Sequence, residues 1–211
     1  MNFDEIFVTI DKNLATIDSI REEILQQIRQ IVRIAAETIK AVHREEWQIA
    51  EKNILEMKTS LQNTRNRVNN HEILVRRNYI EIAEQEYAEA TLLYHLLHDK
   101  QLKDPSNLDI PDLSWLLGLA DVAGELRRHC LDAIRKGDIP RAENVLDLME
   151  EIYRQLFSLD YPKGLTGNLR EKTDTIRKLL QATRGEVSMA THISRLNQNL
   201  EKILDQHEGK R

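Results

Sequence analysis

Apolar residues at the start of the chain recur at Ile10, Leu14, Ile17, Ile24, Ile28, Ile31, Ala35 and Val42. Steps of three, four and seven keep a side chain on one face of an α-helix, whereas a strand needs steps of two. The spacing predicts one helix from Asp4 to about Val42, about 60 Å long at 1.5 Å per residue. A helix of that length buries its stripe only against partners that are also long, so the chain is read as a bundle of long helices. With 7 Gly and 4 Pro in 211 residues, it is poor in the residues that would break such helices.

The same periodicity continues downstream. Trp47, Ala50, Ile54, Met57, Leu61 and Val68 mark a second helix from about Glu45, and a third is expected from about Glu72 to Asp99. Residues 100–111 (KQLKDPSNLDIP) hold two prolines and several turn formers and read as a connection. A fourth helix is expected over Asp112–Lys136, closed by Gly137, and Asp138 then caps a fifth running to about Leu159. A sixth runs from about Leu169 and is expected to stop at Gly185. Ile193, Leu196, Leu200, Ile203 and Leu204 form a last amphipathic stripe within about 186–207. The expectation is an all-α chain of one domain over 1–211, with a core of about 4–185 and a separate C-terminal helix. The first helix and the last stripe offer more apolar seam than one bundle needs, which points to self-association.

Several function classes are excluded by composition. No apolar run approaches the roughly 20 residues that span a bilayer, and the N-terminus carries acids where a signal peptide carries bases. The chain is therefore expected to be cytoplasmic, with no membrane partner. The single cysteine, Cys130, rules out an intrachain disulfide and a cysteine-rich zinc site, and its spacing from Leu126 and Ile134 reads as a core thiol. A net charge of -5 leaves no global nucleic-acid footprint, so a basic surface must be local. Phosphate-binding glycine loops, zinc-protease motifs and nucleophile elbows are absent from the sequence.

The third helix carries the most informative break in pattern. Ile80, Ala83, Tyr87, Ala90, Tyr94 and Leu97 make its apolar face, widened by Tyr79, Ile82 and Leu93, and Glu86 falls inside that stripe with Glu89 at its edge. Glu81 and Glu84 fall on the opposite face, expected to be solvated. A carboxylate turned inward costs several kcal/mol unless a metal, a cation or a donor compensates it. Glu86 and Glu89 are i, i+3 neighbours about 5–6 Å apart at Cβ, a spacing suited to sharing a divalent ion or to dividing ligand and base roles. The surface alternative, a solvated acidic pair, has equal standing.

Two further segments could carry chemistry. In LLGLADVAGELRRHC, residues 116–130, periodicity places Asp121 and Glu125 on the polar face. Gly118 and Gly124 each cost that helix about 1 kcal/mol relative to alanine, which hints at a close neighbour. Lys58, Arg65, Arg67, Arg76 and Arg77 stand against one acid, Glu72, a local charge of +4 in an acidic chain. Asn63, Asn66, Asn69, Asn70, Asn78 and His71 accompany them, a mixture suited to phosphate contact and to hydrogen bonds with an unpaired strand. Cations beside carboxylates are what metal-assisted phosphodiester hydrolysis requires.

The order of elements, with QEYAEA at 85–90 and DLSWLLGLADVAGELRRHCLDAIRKGD at 112–138, resembles the translin superfamily, and within it the catalytic branch of translin-associated factor X. The resemblance covers about residues 15–185. It implies a seven-helix protomer of long antiparallel helices, closed into a hollow barrel of six or eight subunits with nucleic acid inside. It also implies a Mg2+ or Mn2+ dependent endoribonuclease acting on single-stranded RNA, with single-stranded DNA a possible second ligand. Matched by motif, Glu86 and Glu89 correspond to the family's catalytic glutamates and Asp121 to the aspartate completing the metal site, with Glu125 in support. Arg65, Arg67, His71, Arg76 and Arg77 would hold the strand. The chain lacks the basic N-terminus and the acidic insertion of eukaryotic factor X, which suits a compact prokaryotic homo-oligomer. The alternatives are a translin-type binder of single strands without catalysis, and a helical scaffold whose glutamates pair with cations at subunit interfaces.

Overall fold

The computed structural model describes residues 3–76 and 78–208. The described residues are helical, with no strand among them. Long helices are α1 (Phe3–His43), α2 (Trp47–Asn69), α4 (Glu81–Leu97), α6 (Asp112–Arg135), α7 (Ile139–Phe157) and α9 (Leu169–Glu208); α3 (Glu72–Arg76), α5 (Pro105–Leu108) and α8 (Lys163–Thr166) are about one turn each. Contacts divide the chain into two compact units, Met1–Gly118 and Leu119–Arg211. Helix α6 contributes to both. No helix among the described residues is long and apolar enough to cross a membrane.

In the first unit α1 and α2 form an antiparallel hairpin. Its turn follows from α1's last carbonyls: Glu45 takes φ 60°, and the amides of Glu46 and Glu45 reach back to the carbonyls of Ala41 and Val42 at 2.9 and 3.0 Å. Antiparallel pairing is marked by Thr64 Oγ1, which donates to Gln27 Oε1, and by the Arg67–Glu23 ion pair. Ile24, Ile28, Ile31, Ala35 and Val42 of α1 are buried with Ala50, Met57, Leu61 and Val68 of α2, as their spacing predicts. Ile10 and Leu14 share that stripe in sequence yet are exposed.

Three sequence expectations change. The helix expected over Glu72–Asp99 is two, because Asn78 adopts φ 47° and bonds Glu81 Oε2 through Nδ2 at 2.7 Å; asparagine tolerates that left-handed turn better than most residues. The 100–111 connection is docked: Asp104 caps α5, Trp115 Nε1 donates to Lys103 O at 2.9 Å, and Leu108 and Ile110 are buried. The third change lies in the second unit, where Gly185 does not end a helix, so the two expected C-terminal helices are one. Arg127 bonds Thr183 Oγ1 at 2.5 Å and both carboxylate oxygens of Glu186 at 2.8 and 2.9 Å, clamping the helix on either side of Gly185. That tertiary clamp outweighs glycine's cost of about 1 kcal/mol.

The rest of the second unit follows the sequence. Gly137 takes φ 76° as α6 closes, and Asp138 Oδ1 accepts from the Arg141 amide at 3.1 Å to start α7. Helices α7 and α9 run antiparallel, joined by Arg184–Glu150 and Thr191–Glu143. Cys130 is buried, its thiol donating to Ala142 O at 3.4 Å, and burial pushes its pKa up to about 11. A thiol so raised is a poor nucleophile, in keeping with a core role.

Candidate metal and nucleic-acid site

Helix α4 carries the acidic positions, and it is buried on more than the one face that periodicity marks. Ala83, Tyr87, Ala90, Tyr94 and Leu97 are buried as expected, but so are Ala88, Leu92 and Leu96. Ile82, placed on the apolar face, is 54% exposed, whereas Glu84, placed on the solvated face, is 4% exposed. The interior carboxylate of this helix is therefore Glu84, not Glu86. The buried alanine and leucine at one and two turns from Glu84, Ala88 and Leu92, were the signal that this face is covered.

Glu84 is compensated in full. Arg65 Nη2 of α2 donates to Glu84 Oε1 at 2.9 Å and Ser114 Oγ of α6 donates to Glu84 Oε2 at 2.9 Å. The second guanidinium nitrogen, Arg65 Nη1, donates to Asp109 Oδ2 at 3.2 Å, just after α5. One arginine thus ties α2, α4 and the docked connection around a buried charge. Arg65, expected to hold a nucleic-acid strand, is committed instead to this internal network.

Glu86 and Glu89 are both half-buried, on the side of α4 away from the deepest core. Their turn is held from outside by α6. A Cβ built on Gly118 would lie 2.6 Å from Ala88 Cβ, 2.8 Å from Gln85 O and 2.9 Å from Glu89 N, so glycine is what lets the two backbones approach here. Gly124 has nothing within 4 Å of such a Cβ and makes no close approach. The hint drawn from both glycines holds for one of them.

Asp121 follows Gly118 by three residues on α6 and belongs to the second unit. It is half-buried, and Lys172 Nζ of α9 donates to Asp121 Oδ1. Glu125, also half-buried, lies 3.7 Å from Arg128 Nη1. Carboxylate oxygens, on Glu86 and Glu89 in the first unit and on Asp121 in the second, are hard donors of the kind that Mg2+ or Mn2+ takes. Among the described residues no group of three His, Cys, Asp or Glu side chains stands ready-made as a metal site.

Of the basic run, Arg67 is spent on a surface ion pair with Glu23, and His71 is half-buried between α2 and α3 in sequence. The side chain of Arg76, and Arg77 as a whole, lie outside the described residues. His95 and His98 both direct Nδ1 to the Asp99 carboxylate, which is held below the usual carboxylate range chiefly by the bond to His95.

Residues 19–183 match the Translin family. An uncharacterized protein of Methanocaldococcus jannaschii is 32% identical over 192 residues, covering 90% of this chain and 85% of the relative. Among solved structures, AfC3PO in complex with duplex RNA superposes with a TM-score of 0.80 at 26% identity, and AfC3PO alone with 0.74 at 26%. Both matches cover 90% of this chain and 98% of the other. Apo-NeC3PO, at 19% identity with a TM-score of 0.77 and the same coverage, shares the fold.

Proposed function

From the premise that the chain belongs to the Translin family, we propose that it is a homo-oligomeric, Mg2+ or Mn2+ dependent endoribonuclease of the factor X type, acting on single-stranded RNA. The observation that carries this reading is the pair of half-buried carboxylates, Glu86 and Glu89, on a helix held from both sides by the Arg65–Glu84 pair and by Gly118. Glu86 and Glu89 would serve as ligands, and Asp121 as the carboxylate the family resemblance adds. A divalent ion so held would supply charge stabilisation on the phosphodiester and ease deprotonation of an attacking water. Glu125 would support Asp121 from the next turn. His71, Arg76 and Arg77 would hold the backbone, a role that needs charge rather than sequence readout. Single-stranded DNA could occupy the same cations.

AfC3PO is a similar fold solved with duplex RNA, which supports an RNA ligand and makes strand preference a direct comparison. We place the strand inside a closed oligomer of six or eight copies. Support comes from apolar faces that no helix of their own unit covers: Phe3, Ile6, Phe7, Ile10 and Leu14 on α1, and Met189, Ile193, Leu196 and Leu200 on α9. Native mass spectrometry is expected to show six or eight copies; a monomer at micromolar concentration would remove the enclosed lumen from the proposal.

The decisive experiment is end-labelled single-stranded RNA incubated with the protein in Mg2+, in Mn2+ and in EDTA, with Glu86→Ala/Glu89→Ala alongside and duplex RNA as a second substrate. Cleavage is expected with either ion, absent in EDTA, and reduced at least a hundredfold in the double variant while RNA binding survives. Salt-sensitive binding with intact RNA in every lane would support the second reading, a translin-type binder, which the pairing of Asp121 with Lys172 favours.

A further inference from the structure

Lys172 occupies a position that helix energetics does not explain. It sits in the first turn of α9, where the helix dipole favours acids and disfavours cations. Its ammonium nevertheless reaches across to α6 and donates to Asp121 Oδ1, with 20% of the lysine side chain and 27% of the aspartate exposed. The two line a groove of about 320 Å³ together with Gly124, Glu171 and Thr175. Gly124 brings no side chain into that groove and has nothing within 4 Å of where one would start. The second unit thus holds a carboxylate, its resident cation and room beside them.

We propose that Lys172 is the built-in competitor of the divalent ion at Asp121, and so sets how tightly this protein binds that ion. The inference rests on the reading of Asp121 as a metal ligand given above. An ammonium and a divalent ion are alternative counter-charges for one carboxylate. For the ion to take Asp121, Lys172 must either leave or remain as a like charge a few ångströms away, and both weaken binding. A monovalent ion has the same charge as the ammonium it would displace and lacks the lysine's tether, so the arrangement favours divalent over monovalent ions. Lys172 is a positioning residue in this scheme: it acts through Asp121, without touching the reacting atoms.

The test is Mn2+ titrated into the full-length chain, with free Mn2+ followed by electron paramagnetic resonance. Four proteins are compared: wild type, Lys172→Met, Asp121→Asn and the double variant. Methionine keeps the apolar stem of the lysine and removes its charge. Lys172→Met is expected to bind Mn2+ at least tenfold more tightly than wild type, and the gain is expected to vanish when Asp121 is also replaced. Unchanged or weaker binding in Lys172→Met, with Asp121→Asn still weakening the wild type, overturns the competitor role and leaves the metal reading intact. An absence of Mn2+ binding, or binding insensitive to Asp121, overturns the metal reading and this inference with it. Circular dichroism checks each fold; if Lys172→Met and the milder Lys172→Gln both fail to fold, Lys172 is a structural counter-ion and the proposal is wrong.

Discussion

Arg65→Met is expected to destabilise the first unit by about 3 kcal/mol, because it strands the Glu84 carboxylate in the interior with Ser114 as its remaining side-chain partner. Removing one member of a buried ion pair typically costs about 3–5 kcal/mol. The lower end applies because Arg65 keeps 24% of its side chain exposed. Glu84→Gln is expected to cost about 1 kcal/mol, since an amide can still meet Arg65 and Ser114. The double variant Arg65→Met/Glu84→Gln should regain part of the loss, because no uncompensated charge then remains. Both tryptophans, Trp47 and Trp115, lie in the first unit, so fluorescence during urea unfolding reports on this unit. A shift of less than about 0.5 kcal/mol in Arg65→Met would mean that Glu84 is not held as a buried charge.

Gly118→Val is the second substitution with a large expected effect, and it joins stability to function. The new side chain would begin 2.6 Å from Ala88 Cβ and within 2.9 Å of backbone atoms of Gln85 and Glu89. Backbone cannot swing aside as a flexible side chain can, so α6 must move off α4. Overpacking of this kind costs about 1–3 kcal/mol, and the displaced turn carries Glu86 and Glu89. A misplacement of about 1 Å in a catalytic group can cost about a hundredfold in rate. The proposed metal-dependent RNA cleavage is therefore expected to fall about a hundredfold in Gly118→Val even where the protein stays folded. Gly124→Ala is the control in the same helix: nothing crowds its Cβ, and the gain in helix propensity is expected to raise stability by up to about 1 kcal/mol. Equal thermal stability of Gly118→Val and wild type would show that the close approach does not constrain α4.

Glu84, buried, and Glu86, half-buried, mark the limit of helical periodicity on α4. Helical periodicity found the helix and most of its buried face, from Ala83 to Leu97. It assigned the interior carboxylate to the wrong residue because a helical wheel assumes one covered side. With Arg65 and Ser114 supplying partners from other helices, α4 is covered on two sides, and a charge on the second is tolerated. Ala88 and Leu92 were visible in the sequence; that they faced protein was not. The same limit explains Gly185. Glycine in a helical pattern is a sound stop signal locally, yet Arg127 holds Thr183 and Glu186 in one helix, and that arginine lies more than fifty residues away in the chain.

What the sequence by itself determined are the properties that repeat along the chain: the long helices, their approximate ends at Glu45 and Gly137, the thiol in the core and the family to which the pattern belongs. These follow from spacing and local backbone preference, which act within a few residues. Tertiary structure decided which charges are internal. It turned Arg65 from a surface cation into the partner of Glu84, set Lys172 on Asp121, and separated a glycine that packs from one that does not. Each outcome depends on a partner distant in sequence, because compensating a desolvated charge or admitting a close backbone is a property of both surfaces that meet.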